Sequence, residues 1–448
     1  MPTPPRAPTV EIIRDPLWNN IRVDTVALRL VDTPAFQRLR YVRQLGLAYL
    51  VYPGATHTRF EHALGAYHLA RTTLALLEER GALDGVATEE PALVRAAALV
   101  HDVGHYPFSH ALEELGVPHH EEVARPLITG GEVAAILRAE LGADAPERVH
   151  ALVCGRSASP LQGLISGSLD LDKIEYLKRD ALMCGVPYGE IDVDRLLNNL
   201  VVVADPSTGQ PAVGLREKGL SALESLLFAR YQMYRNVYWH HAVRSATAMY
   251  KRLVEGALAA GVLEPAPLAG YTDEGILHAL DVHPGRAGAP RDGGGGVIAE
   301  VSRLRAALQG RRLHKRALEC PAAEFDEEFG GWIADDRALT RRVEDQLAGE
   351  LGLATGELLL DYPRKTQMLG LDLPVLRRSG RVERVTAAGW EGAINLPTLA
   401  EQLYRSARWL RVLVARPVAI PRDRLLAALH RPAVELGRML ERGATLLG

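Results

Sequence analysis

The residues best suited to chemistry lie in segment 96–110, where an apolar stretch runs into His101-Asp102 and two more histidines follow. An imidazole beside a carboxylate suits a cation that takes both nitrogen and hard oxygen ligands. A charge within an apolar segment needs a partner or a metal, so we interpret this pair as metal ligands rather than as an ordinary hydrogen-bonded pair. Two further candidates complete the set, His62 upstream and Asp172 downstream.

A ligand set of this kind is typical of a catalytic divalent ion. Two neutral imidazoles and two carboxylates suit Mn²⁺, Fe²⁺ or Mg²⁺ better than the thiolate-rich sets that favour structural zinc. Such an ion lowers the pKa of a bound water and offsets charge that develops on a phosphoryl group. The sequence therefore predicts a site for one of these metals, with His62, His101, Asp102 and Asp172 as its ligands.

Helices are expected to position these residues. Apolar positions at helical spacing predict a long helix from residue 59 to about residue 80, with His62 in its first turns. Segment 93–100 is apolar on almost every side, which predicts a buried helix. Because His105 follows His101 at i+4, the two are expected on the same helical face.

The remaining pattern predicts further helices and a few strands. Asp172 and Tyr176 are expected to share one helical face, and a single long helix is predicted from Lys218 to about Ala259. The predicted organisation is a helical core with an N-terminal ribbon over residues 1–265, a flexible Gly/Pro-rich connection over 266–296 and a smaller α+β region over 297–448.

Composition excludes several classes of protein. At 448 residues the chain is long enough for two or three domains. Its net charge of -3 argues against a protein devoted to nucleic acid. Three cysteines without C-x-x-C spacing predict no disulfide framework and favour a cytoplasmic location. No apolar run reaches the roughly 18 residues of a membrane-spanning helix, so no membrane partner is expected.

Five segments, in order, resemble those of the HD-domain phosphohydrolases, and within them those of the deoxynucleoside triphosphate triphosphohydrolases. An H-D dipeptide alone is a weak signal, but the ordered set is a strong one. The resemblance extends to about residue 260. It implies a mostly α-helical HD-domain core, a divalent metal, a deoxynucleotide substrate and a homo-oligomer. The segments are residues 32–46, 59–62, 101–110, 120–121 and 170–180.

The resemblance also implies roles for residues beyond the metal ligands. His105 and His120 are expected to contact phosphates and His110 to be the general acid, since imidazole can protonate a leaving oxygen near neutral pH. Either Glu121 or Glu113 is expected to orient one of these imidazoles. The residues implied in substrate binding are Arg59, Lys173 and Arg230 at the phosphates, and Gln44, Tyr176, Asp180 and Tyr238 at the sugar and base.

A second nucleotide site is also implied. Asp32, Gln37 and Arg40 match positions that, in the family, recognise the guanine of an activating nucleotide at a subunit interface. Upstream the chain departs from the family pattern, with Glu11 and Arg14 where relatives commonly carry Lys and Asn. Nucleotide activation therefore stays open against the alternative that Asp32 caps a helix and Arg40 is a surface residue.

The predicted reaction is the metal-dependent hydrolysis of deoxynucleoside triphosphates to a deoxynucleoside and inorganic triphosphate. Two alternatives stay open. One is another HD phosphohydrolase, acting on nucleoside monophosphates, cyclic nucleotides or guanosine polyphosphates. The other is a non-catalytic binder of nucleotides or nucleic acid. The phosphate product that is released separates the first alternative from the predicted reaction, and the absence of turnover would indicate the second.

Overall fold

The computed structural model describes residues 10–266, 268–281, 295–364, 371–386 and 396–448. The predicted fold class is confirmed, since most of the described structure is α-helical and the strands form small sheets. The α-helices, in chain order, are α1 (Thr25–Val31), α2 (Pro34–Gln37), α3 (Arg59–Glu79), α4 (Glu90–Val100), α5 (His120–Thr129), α6 (Gly131–Leu141), α7 (Ala145–Val153), α8 (Leu171–Cys184), α9 (Val193–Asn199), α10 (Leu220–Met233), α11 (His241–Ala259), α12 (Asp273–Ala279), α13 (Gly295–Gln309), α14 (Gly331–Asp335), α15 (Arg337–Glu350), α16 (Leu396–Ala407), α17 (Arg422–Leu429) and α18 (Ala433–Glu441).

The strands form three sheets. Strands β1 and β2 make an antiparallel hairpin near the N-terminus, in which Asp15 pairs with Asn19. A four-stranded sheet has the order β3-β4-β7-β8, and a three-stranded sheet has the order β5-β9-β6. The strands are β1 (Glu11–Asp15), β2 (Asn19–Val23), β3 (Leu200–Ala204), β4 (Pro211–Arg216), β5 (Lys315–Pro321), β6 (Leu358–Asp361), β7 (Leu373–Leu376), β8 (Val382–Val385) and β9 (Trp409–Val414).

The main core lies where α3, α4 and α8 meet. Helix α4 is buried along nearly its whole length, as its apolar sequence predicts, and it packs against α3 and α7. Helix α8 packs on the other side of α3. This arrangement brings the start of α3, the end of α4 and the start of α8 together. Among the described helices, none combines the length and apolar character needed to cross a bilayer.

Two helix predictions were wrong in ways that affect the site. Helix α4 ends at Val100 and residues 101–104 form a turn, so His105 does not continue the helical face of His101. The helix predicted from Lys218 to Ala259 is divided into α10 and α11 by a π-helical turn over Tyr234–Tyr238. Apolar periodicity detects helical character but not a local change in hydrogen-bond register.

The C-terminal region is joined to the preceding chain by a shared sheet. Strand β7 pairs in parallel with β4, matching Val375 with Leu215. Apolar residues of 371–385 and of α16 also belong to the main core. The predicted connection over 266–296 lies partly outside the described residues, which lack 267 and 282–294. The three predicted divisions of the chain therefore stay predictions.

Candidate active site

Local sequence signals place each predicted metal ligand at a helix end. Thr58 and Glu61 form a capping box at the start of α3, which sets His62 in the first turn. His101 caps the end of α4, and Asp102 follows it. Asp170 accepts the backbone N–H of Lys173 and so begins α8, with Asp172 in its first turn. Three helix ends thus deliver the four side chains.

These four side chains, hereafter the metal-ligand group, converge on one point. His62 Nε2 lies 3.2 Å from His101 Nε2 and 2.9 Å from Asp172 Oδ1. Asp102 Oδ2 lies 3.6 Å from His62 Nε2, and its Oδ1 lies 3.2 Å from His101 Nε2. His62 and Asp102 are buried, whereas about a third of the Asp172 side chain is exposed. The group therefore reaches the cavity on one side only.

The outer contacts of the two imidazoles leave both Nε2 atoms available to a cation. His62 Nδ1 lies 2.6 Å from Glu175 Oε2, and His101 Nδ1 lies 2.9 Å from the carbonyl oxygen of Ala98. Because both partners only accept hydrogen bonds, each Nδ1 carries the proton. In the neutral rings, two lone pairs therefore face each other across 3.2 Å, beside two carboxylates. This donor set fits a divalent metal, and Glu175 would then support the ligand His62 from behind as the carboxylate of a carboxylate–histidine–metal arrangement.

A second cluster, hereafter the imidazole group, lies beside the first. It consists of His105, His110 and His120 around Glu113. The rings of His105 and His120 stack at 3.7 Å between centroids, and the ring of His110 lies 4.9 Å from that of His105. Glu113 accepts from His120 Nδ1 at 2.6 Å and from His110 Nδ1 at 2.9 Å. One carboxylate thus holds two imidazoles.

Arg59 joins the two groups. Its Nη1 donates to Asp102 Oδ2 at 2.7 Å, and its Nη2 lies 3.3 Å from His110 Nε2. Burial would raise the pKa of Asp102, but Arg59 with His101 and His105 holds it well below its usual range. Burial and the Arg59 guanidinium hold the pKa of His105 well below its usual range. The side chain of Arg59 is therefore a fixed positive charge between the two groups.

The imidazole group could in geometry also hold a metal, because its ligand atoms lie within 4.8 Å of one another. The adjacent Arg59 guanidinium repels a cation there and favours an anion. His105 Nε2 is buried, and within the described part of the chain no group hydrogen-bonds to it. A buried polar atom without a partner is costly, so a phosphate oxygen fits this place better than a second metal.

Both groups open into one cavity of about 590 Å³. Of the two candidate carboxylates, Glu113 contacts the imidazoles, whereas Glu121 lines the cavity and its backbone carbonyl accepts from His150 Nε2 at 3.1 Å. Arg230 is not among the lining residues and lies near Tyr234, with its guanidinium 5.8 Å from that ring. The sequence-predicted residues that do line the cavity are Gln44, Arg59, His101, Asp102, His105, His110, His120, Glu121, Asp172, Lys173, Tyr176, Asp180 and Tyr238.

Asp180 lines the same cavity, and two side chains contact its carboxylate. His57 Nε2 lies 2.8 Å from Asp180 Oδ1, and the Tyr238 hydroxyl donates to Asp180 Oδ2 at 2.8 Å. Gln44 is buried beside this pair, and no described group hydrogen-bonds to its Oε1. Lys173 is paired with Asp170 and also donates to the carbonyl oxygen of Gly167. The cavity wall therefore includes a carboxylate and an amide as well as the Arg59 guanidinium.

The residues predicted to bind an activating nucleotide lie elsewhere. Gln37 donates to the carbonyl oxygen of Val31 at 2.8 Å and accepts from Arg40 Nε at 2.8 Å. The Arg40 guanidinium also lies over the Phe60 ring at 3.5 Å. Asp32 is exposed at the end of α1, and Thr33 caps α2. None of the three predicted residues lines the described cavity.

Three residues that support the site were not assigned from the sequence: Glu175 behind His62, His57 behind Asp180, and Ser109, which accepts from Arg59 Nε at 3.1 Å. Glu175 follows Asp172 by three residues in the same helix, so helical spacing could have indicated it. His57 and Ser109 carry no comparable spacing signal, because their partners lie far away in the chain.

Two protein families match the sequence. Residues 59–158 match the HD domain family, and residues 191–386 match the HD associated region family. An uncharacterized protein of Methanocaldococcus jannaschii is 36% identical over 274 residues, which are 61% of this chain and 55% of that protein. The deoxynucleoside triphosphate triphosphohydrolase SAMHD1 of Gallus gallus is 29% identical over 272 residues, which are 52% of this chain and 43% of that protein. The chain spans about half the length of the curated relatives it matches.

Two solved structures resemble nearly the whole chain. A hypothetical protein from Aquifex aeolicus has a TM-score of 0.67 and 28% sequence identity, covering 91% of this chain and 97% of its own. A phosphohydrolase from Bacteroides thetaiotaomicron has a TM-score of 0.68 and 24% identity, covering 91% of this chain and 100% of its own. At that identity the second likeness concerns the fold alone.

Proposed function

Because this chain belongs to the HD-domain phosphohydrolases, we propose that it hydrolyses deoxynucleoside triphosphates to a deoxynucleoside and inorganic triphosphate. The observation that carries the proposal is the placement of the metal-ligand group beside the imidazole group, with Arg59 between them. A cation site next to an anion site within one cavity suits a phosphate ester. The relative SAMHD1, named for this reaction, supports the choice of substrate.

His62, His101, Asp102 and Asp172 would hold the metal, which would supply charge neutralisation and water activation when bound. Arg59 lines the cavity, and its guanidinium, held by Asp102 and Ser109, is placed to attract non-bridging phosphate oxygens as a fixed positive charge. His105 Nε2 is buried and unpaired among the described residues, and in the tautomer that carries its proton there it would donate to another phosphate oxygen. These contacts keep the polyphosphate fixed beside the metal-ligand group.

His110 is the residue we assign as general acid. Its Nδ1 donates to Glu113, its Nε2 lies 3.3 Å from Arg59 Nη2 at the cavity wall, and more than half of the side chain is exposed. The Glu113 carboxylate fixes the orientation of this ring. His110 can then give a proton to the 5′-oxygen of the leaving deoxynucleoside. His120, held by the same carboxylate, remains for the phosphates.

The part of the cavity wall around Asp180 suits a sugar. The carboxylate of Asp180 already accepts from Tyr238 and contacts His57, and it has lone pairs left to accept a sugar hydroxyl. Tyr176 and Tyr238 also line the cavity and supply flat apolar surface. A ring packed closely on the sugar disfavours a 2′-hydroxyl, which is the basis for proposing deoxynucleotides over ribonucleotides.

Product analysis tests the proposal. Purified protein is incubated with each of the four deoxynucleoside triphosphates and with ribonucleoside triphosphates, singly and mixed, with Mn²⁺ or Mg²⁺. We expect deoxynucleoside and intact triphosphate, and little product from ribonucleotides. Turnover only in mixtures would support an activating nucleotide, with Asp32, Gln37 and Arg40 as its candidate site. Orthophosphate or pyrophosphate as the product would contradict the proposal and favour another phosphoester, and no turnover would favour a binding protein.

A further inference from the structure

The geometry points to the β1–β2 hairpin as an outer part of the metal centre: we propose that Trp18, Asp15 and Arg179 position the carboxylate of Glu175, which in turn orients the metal ligand His62. The inference rests on the proposed metal-dependent function. It assigns a role to a segment distant in sequence from every predicted ligand. These residues are positioning residues, since they act through Glu175.

Glu175 is the central residue of this arrangement, and it is fully buried. Its Oε2 accepts the Nδ1 proton of His62 at 2.6 Å. Its Oε1 accepts from the indole N–H of Trp18 at 2.9 Å and from Arg179 Nε at 2.8 Å. Hydrogen-bond donors therefore hold both carboxylate oxygens of Glu175, which fixes the orientation of the carboxylate and of the His62 ring. Gly65 provides the space, because a Cβ at that position would collide with Glu175 Oε1.

The hairpin is attached to the same carboxylate a second time through Arg179. Arg179 Nη1 lies 3.0 Å from Asp15 Oδ2, and both side chains are buried. Asp15 Oδ1 accepts the backbone N–H groups of Leu17 and Trp18, each at 2.8 Å. Asp15 thus fixes the hairpin turn that carries Trp18 and also holds the arginine that holds Glu175. Two routes lead from the hairpin to one carboxylate.

A packing role alone would explain less. The Trp18 ring lies 5.6 Å from the His68 ring and contacts the core, which any large aromatic side chain could do. The indole N–H of Trp18 has a more specific partner. It donates to the buried carboxylate of Glu175, which also accepts a hydrogen bond from Nδ1 of the proposed metal ligand His62. Partners of this kind typically change metal affinity by about 10- to 100-fold when they are removed. Metal affinity therefore separates the two roles.

The test compares Trp18→Phe, which keeps an aromatic ring and removes only the N–H donor, with the unaltered full chain. Metal-free protein is titrated with Mn²⁺, and bound metal is measured by equilibrium dialysis. We expect the Kd for Mn²⁺ to rise about tenfold in Trp18→Phe. We also expect the visible spectrum of the Co²⁺-loaded protein to change as the His62 ring reorients. Glu175→Gln is expected to weaken Mn²⁺ binding further, by about 100-fold.

Asn20→Ser is the matched control, because Asn20 lies on the same hairpin, is exposed, and accepts from the exposed Arg14. It should leave the Kd for Mn²⁺ and the Co²⁺ spectrum unchanged. The melting temperature of each metal-free variant shows any general loss of stability. If Trp18→Phe lowers that temperature but leaves the Kd unchanged, the residue is structural and the inference is wrong.

The outcomes also separate this inference from the proposed function. A weaker Kd in Trp18→Phe, in a protein that releases no triphosphate from any deoxynucleotide, supports the inference and contradicts the proposed reaction. An unchanged Kd in Trp18→Phe, in a protein that does release triphosphate, contradicts the inference and supports the proposed reaction. If the unaltered chain binds no Mn²⁺, Fe²⁺ or Mg²⁺, both are overturned.

Discussion

At the scale of single residues, Glu113 affects more of the proposed chemistry than any one histidine, because it contacts two of them. It is mostly buried and accepts from both His110 and His120. Burial would raise its pKa, but the two imidazoles hold the pKa of Glu113 well below its usual range. A single anion therefore fixes the orientation of the proposed acid and of a phosphate contact. Its removal should affect both.

We expect Glu113→Gln to lower kcat by about 100-fold, within the range typical of general acid–base catalysis. A glutamine side chain has one acceptor oxygen, so one of the two imidazoles loses its partner. Steady-state kinetics with the best deoxynucleotide, together with metal content, would measure the effect. Metal content should be unchanged, because Glu113 does not contact the metal-ligand group.

Glu122→Gln is the control for this prediction, since its carboxylate faces Arg156 at 3.1 Å on the surface. It should leave kcat unaffected. The prediction fails if Glu113→Gln retains full turnover. It also fails if the loss appears instead in Glu121→Gln, the alternative that the sequence left open.

The sequence predicts the four residues of the metal-ligand group, but it does not predict the residues behind the site, Glu175 and His57. Histidines and aspartates in a fixed order along apolar helices are unusual enough to be recognised from the sequence alone. Glu175 and His57 are different, because an acidic residue in a helix or a histidine in a loop is usually exposed. Only the packing of α3 against α8 shows that both are buried beside site residues. Their roles depend on long-range contacts that no local pattern encodes.

At the scale of elements, the turn between α10 and α11 shows a limit of periodicity. Residues Tyr234–Tyr238 form a π-helical turn inside a segment whose apolar pattern predicts one helix. Such a turn adds a residue to the helical repeat and rotates the next part of the helix, and it is frequent at functional sites. Here it ends at Tyr238, whose hydroxyl reaches Asp180. The apolar pattern continues through the turn, so the sequence predicts helix but not its interruption.

The start of α11 gives a prediction about pH. Burial, the neighbouring His240 and Arg316 lower the pKa of His241 to about 4. Its position at the helix N-terminus also disfavours a positive charge. An unfolded chain has an ordinary histidine pKa of about 6.5, so between about pH 4 and pH 6.5 the unfolded state binds more protons. His241 should therefore lower stability as the pH falls through this range.

The comparison of the unaltered chain with His241→Gln measures this effect. Melting temperatures are recorded at about pH 7.5 and at about pH 5, on either side of the unfolded-state pKa. The variant should gain stability relative to the unaltered chain at the lower pH, since it has no group to protonate. An equal difference at both pH values would show that His241 binds a proton as readily in the folded protein as in the unfolded chain, and would contradict the prediction.

At the scale of the whole molecule, the C-terminal region is connected to the candidate active site by buried charge. Glu114, next to Glu113, binds Arg244 of α11 through two oxygens at 2.9 and 3.1 Å and Lys251 at 2.6 Å. Arg244 also lies 2.6 Å from Asp361, which belongs to β6 of the C-terminal sheet. Sequence composition predicts an appended region. The fold instead fixes that region to the turn that carries Glu113.

This bridge predicts that Asp361, which belongs to the C-terminal sheet and does not line the cavity, affects turnover through Arg244 and Glu114. Glu114→Gln and Asp361→Asn each leave the buried Arg244 short of a negative partner, and uncompensated buried charge is costly. Relaxation of the turn at Glu113–Leu115 should displace His110 and His120. We expect each variant to lower kcat about tenfold, because small displacements of catalytic groups reduce rates strongly. Mn²⁺ binding should be retained, and Glu324→Gln, which loses only a surface pair with Arg422, should turn over normally.

The double variant shows whether the two carboxylates act through the same arginine. If both substitutions act through Arg244, the second one lowers kcat by less in the double variant than it does alone, because the effects of residues that share a partner are not additive. The free-energy change calculated from kcat for the double variant should then be smaller than the sum of the single changes. Independent losses would give a simple sum. That result would mean that Glu114 holds the turn through Lys251 and that the C-terminal sheet stabilises the fold without positioning the imidazole group.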